Sequence, residues 1–119
     1  MLLNGDQKEL ELVLDSLEQF DTVLLRTQNS DYRILLLDPK TGRALVEGGQ
    51  HLGEPKEAFL VGANRHGSQF KLGAIVVGYR LEMWVGEMIV STSSIQSIRV
   101  TSQHAAETIS AKLRSRSVF

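Results

Sequence analysis

Residues 79–92, YRLEMWVGEMIVST, decide the fold class of this chain. Apolar and polar side chains alternate over the first seven of these residues, and a period of two is typical of a β-strand with one buried face. Gly86 and Glu87 follow as the Gly-X pair of a two-residue type II′ turn. The stretch therefore predicts an antiparallel hairpin.

The turn also fixes the register of this hairpin, because a shift of one residue would move every side chain to the other face. Three pairs are expected to meet on the core face: Val85 with Met88, Met83 with Val90, and Leu81 with Thr92. The opposite face carries Arg80, Glu82 and Trp84, with Glu82 opposite Ser91.

The period-two pattern extends over about residues 22–100, where short runs rich in β-branched residues alternate with turn-forming residues. We predict seven or eight strands there, with a loop over residues 48–56. The connections are short, and short connections favour antiparallel neighbours, because parallel neighbours need crossovers of a dozen residues or more.

Both ends of the chain show a different period. Apolar residues recur at helical spacing between Leu10 and Phe20, Asp6 is a candidate N-cap, and Leu12 falls outside the apolar stripe. This pattern predicts a helix over about residues 6–20. A similar pattern after Thr101 predicts a second helix over about residues 103–114.

The expected fold is thus mainly β within the α+β class. It is one domain over residues 1–119, an antiparallel β-barrel-like or sandwich sheet flanked by an N-terminal and a C-terminal helix. A chain of 119 residues is too short for two independent cores of ordinary size.

The composition of the chain excludes several kinds of functional site. The chain has no cysteine, which excludes disulfides, thiol catalysis and cysteine-ligated metals. No apolar run approaches the roughly 20 residues that span a bilayer. The first residues lack the pattern of a secretory signal. We therefore expect a soluble, cytoplasmic protein that does not enter membranes.

Sequence motifs give no catalytic constellation. There is no Gly-x-Ser-x-Gly elbow and no Gly-x-Gly-x-x-Gly loop, and the three histidines lack the spacing of a metal site. We expect no cofactor and no metal. The net charge is −1, and the basic residues are spread along the chain, which argues against nucleic acid as a partner.

Six residues are candidates for contact with a ligand or partner. Loop residues and charged or aromatic side chains on the polar face of the hairpin are the positions where such contacts concentrate. Leu12 joins them as an apolar residue outside its stripe. The six are Arg65, His66, Arg80, Glu82, Trp84 and Leu12.

These observations favour a small non-catalytic binding, assembly or regulatory module that forms a homo-oligomer or binds a protein partner. Two alternatives stay open. One is a nucleotide or nucleic-acid binder that uses Arg65, Arg80, Arg99 and the basic tail. The other is a small enzyme with a site inside the β-barrel.

Overall fold

The protein folds into antiparallel β-sheet. The computed structural model describes residues 6–49, 52–65 and 69–101. Its strands are β1 (Asp6–Glu9), β2 (Glu11–Val13), β3 (Thr22–Thr27), β4 (Asp31–Asp38), β5 (Arg43–Gly48), β6 (Leu52–Arg65), β7 (Gln69–Leu72), β8 (Ala74–Val76), β9 (Arg80–Val85), β10 (Met88–Ser91) and β11 (Ile95–Thr101).

Nine of these strands form one sheet in the order β1-β11-β3-β4-β5-β6-β9-β10, with β7 paired to β6 beyond the end of β5. Strands β2 and β8 form a separate two-stranded sheet. Every pairing is antiparallel.

The large sheet curls around one core. Buried side chains from β3, β4, β5, β6, β9 and β11 belong to a single cluster, and Leu12 and Ile75 of the small sheet pack into it. At one end, the Ile95 amide donates to the Tyr79 carbonyl and the Gly78 amide donates to the Ile95 carbonyl, each at 2.8 Å. The start of β11 is thereby joined to the segment before β9.

The predicted hairpin is confirmed in turn and register. Strand β10 pairs Met88 with Val85, Val90 with Met83 and Ser91 with Glu82. Gly86 has φ 61°, whereas Glu87 is not among the residues with positive φ, as a type II′ turn requires. Leu81 and Met83 are buried, and Arg80 and Trp84 are exposed on the opposite face. Met88 was predicted on the core face but is 60% exposed, because β10 is at the end of the sheet.

The predicted flanking helices are wrong as a description of this fold, because no described helix reaches seven residues. Residues 6–20 form β1, β2 and one 3-10 turn, Leu14–Ser16. The reason is tertiary pairing: β1 binds the edge of β11 and β2 pairs with β8. A short amphipathic helix gains little stability from propensity alone, so packing decides. The helix predicted over 103–114 lies outside the described residues.

The predicted loop over 48–56 is also wrong in its second half, because β6 begins at Leu52 and pairs with β5. Among the described residues, no helix has the length and hydropathy that crossing a bilayer requires.

Candidate functional site

The structure brings three of the six candidate residues together. Arg80, Glu82 and Trp84 alternate along β9 and lie on its solvent side. Strand β9 lies between β6 and β10, so cross-strand neighbours surround these three residues on both sides.

A row of apolar residues crosses this face. Phe59 of β6 is directly opposite Trp84, and Ile89 of β10 is opposite Trp84 on the other side. Residues paired in this way point to the same face of a sheet. Neighbouring strands are about 4.8 Å apart, so the row spans about 10 Å.

Strand β7 extends the same face. Its residue Leu72 pairs with Gly62, and Phe70 pairs with Asn64, on the side of β6 away from β9. The exposed fraction of the apolar side chains on this face ranges from 42% at Trp84 to 79% at Leu72. We call this surface the aromatic face, and its apolar members are Phe59, Phe70, Leu72, Trp84 and Ile89.

Polar side chains divide the aromatic face. Asn64 Nδ2 donates to Glu82 Oε1 at 3.4 Å, and Arg80 lies opposite Asn64. Ser91 lies opposite Glu82 on β10. One arginine and one glutamate balance each other, so the face carries no large net charge.

Gly62 permits the close approach of β7 to β6. A Cβ at this position would overlap the Lys71 carbonyl oxygen, which is backbone and cannot move aside cheaply. A larger residue would push β7 away and remove Phe70 and Leu72 from the aromatic face.

An ion pair borders the apolar row next to Phe59. Arg43 Nε donates to Glu57 Oε2. The hydrogen bond from Arg43 to Glu57, and then the Coulombic attraction between the two, raise the pKa of the Arg43 guanidinium. Both side chains are half exposed, so the pair marks a solvated rim.

Arg65 lies on the other side of β6, because it is one residue away from Asn64 along the strand. Its guanidinium carbon lies 5.7 Å from the centre of the Tyr79 ring, and Lys71 Nζ lies 6.0 Å from that centre. The Tyr79 hydroxyl donates to Gln69 Oε1 at 2.9 Å. The predicted candidate Arg65 is therefore separated from Arg80.

Lys71 also forms an ion pair with β2. Its Nζ lies 3.0 Å from Glu11 Oε1. The hydrogen bond to Glu11 and the Coulombic attraction between the two raise the pKa of Lys71. This pair links the two sheets.

Leu12, which became a contact candidate because it falls outside the predicted helical stripe, is instead a core residue. It is 5% exposed and packs with Leu14 and Ile75. Its position follows from the strand period of two, because Glu11 and Val13 on either side are exposed. His66 lies outside the described residues.

A separate groove of about 580 Å³ lies over β3, β4 and β11. Arg26, Arg33 and Arg99 line it. Arg26 Nε donates to Asp31 Oδ1 at 3.2 Å, and Arg33 Nε lies 4.0 Å from Glu47 Oε1. Carboxylates thus lie beside the guanidinium groups of Arg26 and Arg33.

The sequence identified Trp84 but not the rest of the apolar row. The predicted hairpin register already placed Ile89 opposite Trp84, which was a usable signal. Phe59 alternates with Ala58 and Leu60, but either face of that strand could have been the buried one. Only the pairing of β6 with β9 shows that Phe59 lies on the exposed face, opposite Trp84.

Among the described residues, no group of three or more histidine, cysteine, aspartate and glutamate side chains could hold a metal ion. In comparisons with known proteins, no family model, curated protein or solved structure matches this chain.

Proposed function

We propose that this protein is a non-catalytic assembly module that forms a homodimer, with the aromatic face at the contact between two copies. The observation that carries the proposal is the row of exposed Phe59, Trp84 and Ile89 across three neighbouring strands. Interface cores are enriched in aromatic residues and arginine and depleted of lysine, and this face has that composition.

The charge of the face supports a second copy as the partner. A two-fold contact brings the same patch of both subunits together, so the patch must match itself. Arg80 and Glu82 alternate beside the apolar row, and a nearly neutral patch meets its own copy without like-charge repulsion. A strongly charged partner has no matching charge on this surface.

The nucleic-acid alternative has less support from the geometry. Arg65 and Arg80 lie on opposite sides of the sheet, and Arg99 lies on β11, with four strands between β11 and β9 in the sheet order. Nucleic-acid binding generally needs basic residues gathered on one face. The three described arginines of that hypothesis form no such patch.

The enzyme alternative needs a cavity inside the sheet, and the described core is filled by side chains such as Leu36, Leu81 and Met83. The buried polar side chains form local hydrogen bonds: Asp21 Oδ2 accepts from the Glu18 amide at 2.9 Å, and Thr27 Oγ1 donates to the Ser30 carbonyl at 2.9 Å. These groups serve the fold.

We place the module in the cytoplasm as part of the proposal. A chain without cysteine has no disulfide to lose in a reducing compartment. Fractionation of the native host tests this location, and recovery of the protein outside the cytoplasm would contradict it.

Light scattering over a range of concentrations tests self-association, since the mass should approach twice 13.2 kDa. Trp84 is the single tryptophan of the chain, so its fluorescence reports on the aromatic face alone. We expect its emission to shift to shorter wavelengths as the dimer forms. A monomer at high micromolar concentration would refute the proposal, and a dimer without the shift would place the contact elsewhere.

A matched pair of variants completes the test. Trp84→Ala should weaken dimerisation, because it removes the centre of the apolar row. Leu24→Ala truncates an exposed apolar residue on β3, away from the aromatic face, and should dimerise as the wild type does. Equal weakening by both variants would contradict the proposed surface. Salt-dependent binding of an oligonucleotide to the wild type would favour the nucleic-acid alternative.

A further inference from the structure

Strand β10 is at one end of the sheet and pairs with β9 alone among the described residues. The Thr92 amide donates to the Leu81 carbonyl at 3.0 Å, which makes these two residues a hydrogen-bonded pair. Such pairs alternate along an antiparallel ladder, so Met83–Val90 and Val85–Met88 are also bonded. The amides and carbonyls of Ile89 and Ser91 therefore point away from β9.

The β10 edge lacks the features that usually prevent an edge strand from pairing with another chain. Strand β10 has the sequence MIVS, without charge or proline. Met88 and Ile89 are 60% and 55% exposed. Proteins commonly protect edge strands with charged residues, proline or bulges. The strand at the other end, β1, has the sequence DQKE and is rich in charge, so the two ends of the sheet differ in their readiness to pair.

We propose that two copies join through antiparallel pairing of β10 with β10, with Ile89 facing Ile89 of the partner subunit on the two-fold axis. This inference rests on the homodimer proposed above and places the contact at the Ile89 end of the apolar row, with Trp84 on the next strand, β9. The two apolar rows then join into one, because Phe59, Trp84 and Ile89 continue into the same residues of the second copy.

The chemistry of the strand selects this register. With Ile89 on the axis, Met88 faces Val90 of the partner subunit, and Glu87 faces Ser91 of the partner subunit. Each apolar side chain of β10 then lies beside an apolar side chain of the partner strand. With Val90 on the axis instead, Ile89 faces Ser91 of the partner subunit, which is a poorer match. Opposed apolar pairs stabilise a sheet more than apolar–polar pairs do.

The chain has no cysteine, so one introduced thiol reports the register. In the proposed dimer the two Ile89 Cα atoms form a hydrogen-bonded pair about 5.5 Å apart, within the range of about 4.4–6.8 Å that a disulfide spans. After mild oxidation, Ile89→Cys should run as a covalent dimer. Ser91→Cys is the control, since its two thiols are four positions apart, about 14 Å.

The outcomes of the cross-linking experiment test the edge pairing separately from the homodimer proposal. Cross-linking of Ile89→Cys but not of Ser91→Cys supports the inference. Cross-linking of Val90→Cys alone, or of none of the variants while the wild type is dimeric, overturns the edge pairing but leaves the homodimer proposal standing. A wild type that stays monomeric refutes both.

Lysine substitutions give an independent test without oxidation. Ile89→Lys places two lysines opposite each other on the axis and should abolish the dimer. Ser91→Lys places a lysine opposite Glu87 of the partner subunit and should keep or strengthen it. Both positions are exposed on the same strand, so a general effect of lysine on the edge would weaken both variants equally and would contradict the register.

Discussion

The hydroxyl of Thr92 accepts a hydrogen bond from the Leu81 backbone amide at 3.0 Å. The same hydroxyl donates to the Ser93 carbonyl at 2.7 Å. Thr92 is buried, so its side chain supplies the acceptor that the Leu81 amide needs where the chain leaves β10. A side chain thus completes the ladder at the end of the hairpin.

Thr92→Val should therefore destabilise the protein by about 1–3 kcal/mol, because it leaves a buried amide without an acceptor while keeping the side-chain volume. Urea denaturation measures this loss. Thr41→Val is the control, since Thr41 is exposed and its loss should stay within about 0.5 kcal/mol. Equal stability of Thr92→Val and the wild type would contradict the assigned role.

The two faces of β9 should respond differently to truncation. Met83 is fully buried, and Met83→Ala should cost about 2–5 kcal/mol, as core truncations do. Arg80 is exposed, and Arg80→Ala should change stability by no more than about 0.5 kcal/mol. Two denaturant melts compare them. A larger loss at Arg80 would mean that the aromatic face is buried within the subunit.

Replacement of either of two glycines by alanine should lower stability, for a different reason in each case. Gly62→Ala should cost about 1–3 kcal/mol through overlap with the Lys71 carbonyl, and amide exchange should rise in β7. Gly86→Ala meets open space but has φ 61°, so it should cost about 1–2 kcal/mol without affecting β7. Hydrogen exchange measured by NMR distinguishes the two. Increased β7 exchange in both variants would refute the close-approach argument.

The ion pair between Lys71 and Glu11 should be visible in a titration. Glu11 raises the pKa of Lys71 above its ordinary value of 10.5, so the pair stabilises the fold below that pH. The stabilisation is lost as the pH rises through the folded-state pKa of Lys71. Glu11→Gln should lower this pKa, as followed by the Lys71 side-chain carbon shift in NMR. An unchanged pKa would show that the pair does not persist in solution.

Local sequence signals predicted some elements well. The 79–92 hairpin depends on a two-residue turn and on alternation within fourteen residues, and both turn and register were predictable. The fold of the N-terminal segment was not predictable from local signals, because its strands pair with β11 and β8, more than sixty positions away. Its apolar spacing fits a helix as well as a strand, and the distant partners decide between them.

The aromatic face was predictable only in part for the same reason. Trp84 and Ile89 belong to one hairpin, and its register places them together. Phe59 reaches the row through the pairing of β6 with β9, which includes a register shift between Leu60 and Gly62. A bulge of this kind changes which residues share a face, and the isolated Gly62 at the shift is its only nearby sequence signal, since glycine inside a strand often marks a bulge.

The pairing of β1 with β11 joins residues about ninety positions apart, since Asp6 lies opposite Thr101 and Glu9 opposite Ile98. At a synthesis rate of about 5–20 residues per second, β1 leaves the ribosome several seconds before its partner. Closing so long a loop carries a large entropy cost before any contact forms. We therefore expect the protein to fold on the slow timescale of nonlocal β topologies, with β1 joining the sheet last.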